Sequence, residues 1–481
     1  MTDSIGVYST AGEMLAALRQ RRISSVELVE MHLNRIESCD GPLNAIPVRT
    51  ADRAREAALI ADAAMARGER GALLGLPITL KESTQTAGLP QSAGIVALKD
   101  YRPPLDGPVA ASVLAAGACL LGKTNIPVAL EDWQADSPVY GRTNNPWDLT
   151  RTPGGSTGGG AAALAAGMTP LEIGSDIGGS IRVPGAFCGV YGHRPSETAV
   201  PRAGAFPFAD LANPGVVMGV QGPLARSALD LELLFDVVIG PVEGESVGWQ
   251  LELPAARHER LGDFRVAVMP TMPWVRPSAE VHGKVEELSG VLGRAGAKVG
   301  EAMPVVDFEQ YYLDYSALLG VITSQGKSRA EREDMARVMS GSGDAHMSAI
   351  AKGLTIDAAG FLGLLDRREM ARQAWRTFFS DWDVLIGPIT LDVAFTHQTG
   401  VDYQRTLPID DQLVPYMLNI VYPMWAIFAG QPSTAFPAGL SNAGLPLGLQ
   451  AIGSYLEDRT TLKFAQILEQ EWHGFQVPPG Y

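Results

Sequence analysis

The chain has 481 residues, of which 46% are hydrophobic and 19% are charged, a composition that fits a folded globular protein and excludes disordered and fibrous classes. The formal net charge of -15 and the absence of basic runs argue against nucleic acid as a partner, because nucleic-acid binding needs Lys and Arg to neutralise phosphates. Three cysteines are too few for a disulfide framework or a zinc site, and they favour a reducing, cytoplasmic compartment. We expect neither a secretion signal nor a membrane span, since no apolar run is long enough.

The N-terminal part of the chain carries helix-start signals. Thr10 and Ser24 are each followed three residues later by Glu, the pattern of a capping box. An Ala-rich segment comes next, so helices are predicted over about residues 10–67. The apolar run "GLPITL" then predicts a short strand that ends near Lys81.

Helical and strand-like patterns alternate through the rest of the chain. Between Asp106 and Gly189, apolar helical patterns alternate with runs such as "ACLLGKTN" and "MTPLEIG", which is typical of an α/β fold. Residues 311–379 are predicted to be mostly helical, with a break at "MSGSGDAH". A buried strand, a hairpin-like pair around Ser441–Gly444 and a closing helix complete the chain. Because no linker-like stretch occurs, residues 1–481 are predicted to form a single domain.

Two glycine-rich runs each carry a serine: "GGSTGGG" contains Ser156, and "GSDIGGS" contains Ser180. A phosphate-binding loop is one explanation, but no Lys follows the last glycine of the first run and no strand directly precedes it. Close backbone packing around a turn-forming serine is a second explanation. Nucleophilic catalysis is a third, in which Ser180 attacks a carbonyl carbon. Main-chain N–H groups of Ile177, Gly178 and Gly179 would then stabilise the oxyanion.

A serine nucleophile needs a base, and the sequence offers histidine or lysine. None of the seven histidines lies in a motif with an acid; His193, close after Ser180, is the one to test, with a packed or surface role as the alternative. Lys81 follows a buried strand, where loss of water disfavours the ammonium form and lowers the pKa. A solvated lysine is neutral in only about one molecule in 2,500 at pH 7, so only a buried one can act as base. An ion pair with Glu82 or another carboxylate is the structural alternative.

Seven motifs extend from the N-terminal helices to the last helix: "GLPITLKES", "GKTNIP", "YGRTNNPWD", "PGGSTGGGAAALAAG", "GSDIGGSIRVPGAFCGVYG", "GQPSTAFPAG" and "GLPLGLQAIG". In these motifs the chain resembles the amidase signature family of serine hydrolases. The resemblance implies one large α/β domain with a mixed, mostly buried β-sheet flanked by helices on both faces. It also implies a Ser-cisSer-Lys triad of Ser180, Ser156 and Lys81. Ser156 would follow a cis peptide and pass the proton of Ser180 to neutral Lys81, and water would hydrolyse the acyl-enzyme.

The resemblance extends to residues around the triad. Asp176 and Arg182 match positions that support the nucleophile loop, and Thr157 matches a hydroxyl that forms hydrogen bonds within the site. Leu130 and Trp133 align with a segment that lines the acyl pocket.

Several positions depart from the family pattern while the triad is intact. Ile177 replaces the usual Thr, Glu82 the usual Asp and Gly160 a common Ser, and "GHRPS" replaces "GLKPT". Ile177 keeps its main-chain N–H but loses a polar side chain near the site.

The expected function is hydrolysis of an apolar or aryl amide, extending to carbamates (urethanes) or esters. A small-molecule substrate is predicted, without a cofactor, metal, nucleic acid or membrane, and a homodimer is compatible with the family. The aromatic and Met-bearing segments 206–218, 311–321 and 416–428 are candidates for the pocket wall, with ordinary core as the alternative.

Two alternative functions stay open. The first is the glutaminase component of a tRNA-dependent amidotransferase, although the stretch after "GHRPS" departs from the "YGRVSRYG" pattern of that component. The second is a non-catalytic binding scaffold of the same fold, which would be expected to lack a triad residue.

Overall fold

The computed structural model describes residues 5–208, 217–242 and 244–481. Its helices, in chain order, are α1 Ala11–Arg19, α2 Ser25–Leu43, α3 Ala51–Ala66, α4 Pro108–Ala115, α5 Gly158–Ala165, α6 Arg182–Cys188, α7 Ala228–Val238, α8 Ala279–Ala295, α9 Phe308–Thr323, α10 Arg329–Ser340, α11 Ala345–Thr355, α12 Ala358–Asp381, α13 Met424–Ala429 and α14 Asp458–Glu471. Its strands are β1 Val48–Arg49, β2 Pro77–Lys81, β3 Cys119–Thr124, β4 Asp136–Ser137, β5 Gly141–Arg142, β6 Leu171–Asp176, β7 Tyr191–Arg194, β8 Val220–Ala225, β9 Arg265–Val268, β10 Lys298–Glu301, β11 Val384–Pro388, β12 Thr406–Ile409, β13 Gln412–Pro415, β14 Ser433–Leu440 and β15 Pro446–Ile452.

An eleven-stranded mixed sheet forms the centre of the molecule, in the order β1-β3-β2-β6-β8-β7-β14-β15-β11-β9-β10. Strand β2 runs parallel to β3 and β6, and β9 runs parallel to β10 and β11, while the other pairs are antiparallel. Strands β2 and β3 are buried along their whole length, and β6 is buried except at Ser175, which explains their largely apolar runs. The predicted α/β class with a mixed, mostly buried sheet is confirmed.

Helices cover both faces of this sheet, as predicted. On β6, Ile173 packs into the core cluster that includes α1, α4, α7, α8 and α14. The next residues on the opposite face contact α5: Glu172 lies against Gly160, and Gly174 lies against Thr157. None of the described helices has the length and hydropathy required to cross a lipid bilayer.

The local signals in the sequence coincide with element ends. Both predicted capping boxes form, at Thr10 for α1 and at Ser24 for α2. Strand β2 ends at Lys81, and β14 and β15 form the predicted C-terminal hairpin. Helices α9 to α12 occupy residues 308–381, and the predicted break falls between α10 and α11.

Candidate active site

Lys81 ends β2 with a fully buried side chain. Its Nζ forms hydrogen bonds with three hydroxyls: Ser156 Oγ at 2.7 Å, Thr157 Oγ1 at 3.0 Å and Ser175 Oγ at 2.9 Å. Among the described residues, no carboxylate forms an ion pair with Lys81. The structural alternative of an ion pair is therefore not realised.

Glu82, the carboxylate next to Lys81 in sequence, is occupied elsewhere. Its oxygens accept hydrogen bonds from the N–H groups of Ser92 and Ala93 and from the hydroxyl of Tyr140, at 2.6 to 3.0 Å. These contacts hold the loop that follows β2.

The surroundings of Lys81 favour its neutral form. Burial lowers the pKa of Lys81 to about 7; the negative charge of Asp176 opposes this shift, and the positive charge of Arg202 adds to it. A group with a pKa near 7 is neutral in a large fraction of molecules at neutral pH. Lys81 can therefore accept a proton from a neighbouring hydroxyl.

The first glycine-rich run packs tightly against the segment before it. The Gly155–Ser156 peptide is cis, as the family resemblance implies. Gly154 has a φ of +86°, and a Cβ on Gly155 would overlap the main-chain oxygens of Asp132 and Gln134. Glycine is therefore required here by both conformation and space.

Asp176, the last residue of β6, organises the second run. Its carboxylate accepts from the N–H groups of Gly179 at 3.1 Å and Ile181 at 3.2 Å, and it pairs with Arg182 at 3.0 Å. Burial alone would raise the pKa of Asp176, but the positive charges of Arg182 and Arg194 lower it to about 2. This geometry fits the expected supporting roles of Asp176 and Arg182.

The predicted set of oxyanion donors needs one correction. The N–H of Gly179 is bound by Asp176, so it is not available to a substrate oxygen in this structure. The N–H groups of Ile177, Gly178 and Ser180 donate to no other described residue. These three are therefore the candidate donors.

Two aromatic side chains fix the peptide planes of this loop. The hydroxyl of Tyr315 donates to the C=O of Ile177 at 3.0 Å, and Trp133 Nε1 donates to the C=O of Gly178 at 2.8 Å. Because C=O and N–H of a trans peptide point in opposite directions, Tyr315 turns the N–H of Gly178 away from itself. In the next peptide, Trp133 contacts the C=O of Gly178, and the N–H of Gly179 therefore points towards Asp176.

The two glycine-rich runs lie side by side. The N–H of Thr157 donates to the C=O of Ser180 at 3.2 Å, and the Ser180 side chain is almost fully buried. The hydrogen bond from Lys81 to Ser156 is formed, whereas the Ser180 hydroxyl is not hydrogen-bonded to any described residue. Catalytic hydrogen bonds are often long or misaligned without substrate, so the second step of the relay stays a prediction.

Comparison with known proteins gives the family of the chain. Residues 27–462 match the Amidase family, about nine-tenths of the sequence. The chain belongs to the amidase signature family. It is therefore related to hydrolases that act on amide C–N bonds, and the resemblance inferred from its motifs is confirmed.

Individual relatives show how the family varies. A glutamyl-tRNA(Gln) amidotransferase subunit from Anaeromyxobacter dehalogenans is 33% identical, over 96% of each chain. A bacterial aryl acylamidase has a similar structure, with a TM-score of 0.82 at 25% identity over 98% of this chain and 99% of the other. A chain from a complex described for the origins of an s-triazine catabolic enzyme matches with a TM-score of 0.80 at 27% identity, over 98% of this chain and all of the other.

Within this family fold, His193 is not placed to act as the base. Its Nδ1 lies 2.9 Å from Thr434 Oγ1, and its Nε2 lies 3.1 Å from Asp458 Oδ1. Both ring nitrogens are thus engaged in a buried contact between β7, β14 and α14. The structure supports the packed role for His193.

Other parts of the site were missed or only partly located from the sequence. Ser175, a third hydroxyl on Lys81, lies inside the quoted "GSDIGGS" motif, but its contact depends on the pairing of β2 with β6. Tyr315 is 138 residues from Ile177 in sequence, so no local pattern links them. Trp133 contacts the nucleophile loop, whereas Leu130 lies half-buried in a nearby turn and its pocket role stays a prediction.

An aromatic cluster forms one wall next to the nucleophile loop. Ile177 packs against this cluster, which draws members from α9, α12 and α13; near the loop it includes Trp133, Met218, Tyr315 and Ile420. Of the predicted wall segment 206–218, residues 209–216 lie outside the described residues. Across the described ranges, no group of three or more His, Cys, Asp or Glu residues is arranged to hold a metal ion.

Proposed function

We propose that the chain hydrolyses a carboxylic amide through an acyl-enzyme on Ser180. The observation that carries this proposal is the buried Lys81 amine, which contacts three hydroxyls and, within the described ranges, no carboxylate. Lys81 takes the proton of Ser156 as Ser156 takes that of Ser180, and Ser180 Oγ bonds to the carbonyl carbon. The N–H groups at Ile177, Gly178 and Ser180 bind the resulting oxyanion.

The proton then returns along the same relay. Ser156 protonates the leaving nitrogen, the C–N bond breaks and an amine departs, leaving the acyl group on Ser180. Water attacks this ester, and its proton passes to Lys81 through Ser156. The bond between Ser180 Oγ and the acyl carbon then breaks, and the relay returns the proton to Ser180 Oγ. The products are a carboxylic acid and the free enzyme, so atoms and protons balance over the cycle.

The side walls of the site favour an apolar or aryl amide, with carbamates and esters as further substrates. Ile177 and the aromatic cluster provide apolar surface directly beside the candidate donors. The structural similarity to an aryl acylamidase supports the same class.

A second candidate is the glutaminase activity of a tRNA-dependent amidotransferase. Curated relatives at 30–33% identity carry the name of a glutamyl-tRNA(Gln) amidotransferase component, and they align over almost the whole chain. This sequence similarity favours the glutaminase more strongly than it favours a free-standing aryl amidase. Such a glutaminase would be expected to depend on partner subunits.

A substrate panel tests the proposal and separates the candidates. Purified protein is incubated with anilides, primary amides including glutamine, aryl carbamates and esters, and release of the amine, ammonia or alcohol is measured for each. We expect hydrolysis of apolar anilides without partners; Ser180→Ala should abolish it, while the control Ser342→Ala, at an exposed serine of the α10–α11 turn, should retain it. Glutamine hydrolysis only with added amidotransferase partners would support the second candidate. No turnover of any member under either condition would support a non-catalytic scaffold.

A further inference from the structure

Buried charge around the site is strongly positive, although the chain as a whole carries -15. Asp176 pairs with Arg182 and lies 3.8 Å from Arg194. Arg194 also donates to the C=O of Met218, whose N–H donates to Glu197.

The second carboxylate of this cluster, Glu197, also forms ion pairs with arginine side chains. Glu197 binds Arg368 and, at 3.1 Å, Arg372, both on α12. Arg202, which lies against Gly219, adds another positive charge. In the described part of this cluster, two carboxylates, Asp176 and Glu197, thus lie among five arginines: Arg182, Arg194, Arg202, Arg368 and Arg372.

Arg202 is the member that has no anionic partner among the described residues. It donates no hydrogen bond to a described residue and forms no ion pair with a described carboxylate. Glu197, the carboxylate that influences it, is already neutralised by two other guanidinium groups. The Arg202 side chain is half-buried and burial lowers its pKa, so its charge is partly removed from water and these residues do not compensate it.

Two contacts place Arg202 next to the end of β8 that pairs with the end of β6. Its guanidinium occupies the space that a Cβ on Gly219 would fill, next to the end of β8 that pairs with Asp176. The side chain of Gln221, opposite Ser175 in the sheet, donates to the C=O of Pro201 at 2.8 Å. The positive charge of Arg202 also contributes to the lowered pKa of Lys81.

We propose that Arg202 binds a carboxylate of the substrate and makes the enzyme selective for amides that carry one. A guanidinium whose donors are not used by the described residues matches a carboxylate in charge and geometry. The substrate would then be amphiphilic, with an apolar part against the aromatic cluster and an anionic group at Arg202. This inference rests on the proposed amide hydrolysis and narrows its substrate class.

Matched substrates test the selectivity. The mono-4-nitroanilides of succinic, glutaric and adipic acids are compared with the 4-nitroanilides of the same chains ending in methyl, and N-butyryl-4-aminobenzoate is compared with butyranilide. For at least one pair, wild-type kcat/KM should be about 10- to 100-fold higher for the carboxylate member. Arg202→Met should remove that preference, and Arg202→Lys should keep part of it. An effect of Arg202 only on the basicity of Lys81 would change both members of a pair equally and would overturn the proposal.

Binding measurements separate this proposal from the proposed hydrolysis. Calorimetry with Ser180→Ala protein, with and without Arg202→Met, follows the affinity for the same anionic and neutral ligands. Tighter binding of the anionic ligand that disappears with Arg202→Met supports the subsite even if no substrate is turned over. If the anionic ligand binds equally tightly to Ser180→Ala protein with and without Arg202→Met, the proposal is contradicted. Because Arg202 forms no ion pair with a described carboxylate, Arg202→Met should not lower Tm; a large decrease would indicate a structural role and contradict the proposal.

Discussion

Lys81 and its hydroxyl partners determine the pH range of the proposed reaction. Because the base must be neutral, kcat/KM for a neutral amide should rise tenfold per pH unit in acid and level off above a pKa of about 7. The lowered pKa means that activity is lost as pH falls and Lys81 takes up a proton. An initial-rate profile from pH 5 to 9, with stability checked at each pH, measures this. An acid limb near pH 4 would instead point to a carboxylate base.

Tyr315 has a positioning role that a single substitution isolates. Tyr315→Phe removes the hydroxyl that fixes the Ile177 C=O and thereby the direction of the Gly178 N–H. We expect kcat to fall about 10- to 100-fold with little change in KM, since an oxyanion donor acts mainly in the transition state. Steady-state kinetics on one anilide measures both constants.

The control for this substitution lies on the same helix. Tyr311 is also buried on α9, but its hydroxyl donates to the C=O of Trp425 instead of the nucleophile loop. Tyr311→Phe should therefore leave kcat nearly unchanged. Equal losses in the two variants would show that packing of α9, and not loop orientation, controls turnover.

At the scale of elements, the contact of α5 with β6 depends on the fit between Gly160, which has no side chain, and the side chain of Glu172. A Cβ on Gly160 would lie 2.6 Å from Cγ and Cδ of Glu172, so the serine common in the family cannot be placed here without moving Glu172. The buried Glu172 accepts from Thr124 at 2.7 Å, and burial raises its pKa to about 8. The carboxyl thus occupies space that the glycine leaves free.

A double-mutant cycle tests this pair. Gly160→Ser should lower the free energy of unfolding by about 1–3 kcal/mol through overpacking. The same change in a Glu172→Ala background should cost clearly less, because the clashing atoms are gone. Urea unfolding of the four proteins provides the comparison. Equal costs in both backgrounds would mean that the two positions do not interact.

The elements and the site differ in how much the sequence reveals. Caps at Thr10 and Ser24 and the end of β2 at Lys81 depend on neighbouring residues, so local patterns predicted them. The capture of the Gly179 N–H by Asp176 depends on the exact conformation of a loop, and the Tyr315 contact depends on long-range packing. Spacing and composition carry no information on either.

At the scale of the whole molecule, the carboxylate of Glu197 connects helix α12 to the segment that follows strand β7. Glu197 follows β7, while its partners Arg368 and Arg372 lie on α12, more than 170 residues later. Glu197→Gln leaves interior guanidinium groups without an anion and should lower the free energy of unfolding by about 3–5 kcal/mol. Thermal and urea unfolding measure the loss.

The matched control is Glu369, an exposed carboxylate that also pairs with α12 arginines. Glu369→Gln should change stability by less than about 1 kcal/mol, because exposed ion pairs contribute little. A similar small effect at Glu197 would show that α12 is held to the sheet by apolar packing alone.

The most direct test of the account is to label the nucleophile chemically. The protein is treated with an alkyl fluorophosphonate, and the modified residue and the labelling rate are determined by peptide mass spectrometry. We predict a single adduct on Ser180 that forms at least about 100-fold more slowly in Lys81→Met protein. An adduct on Ser156 or Ser175, or an unchanged rate without Lys81, would contradict the proposed mechanism.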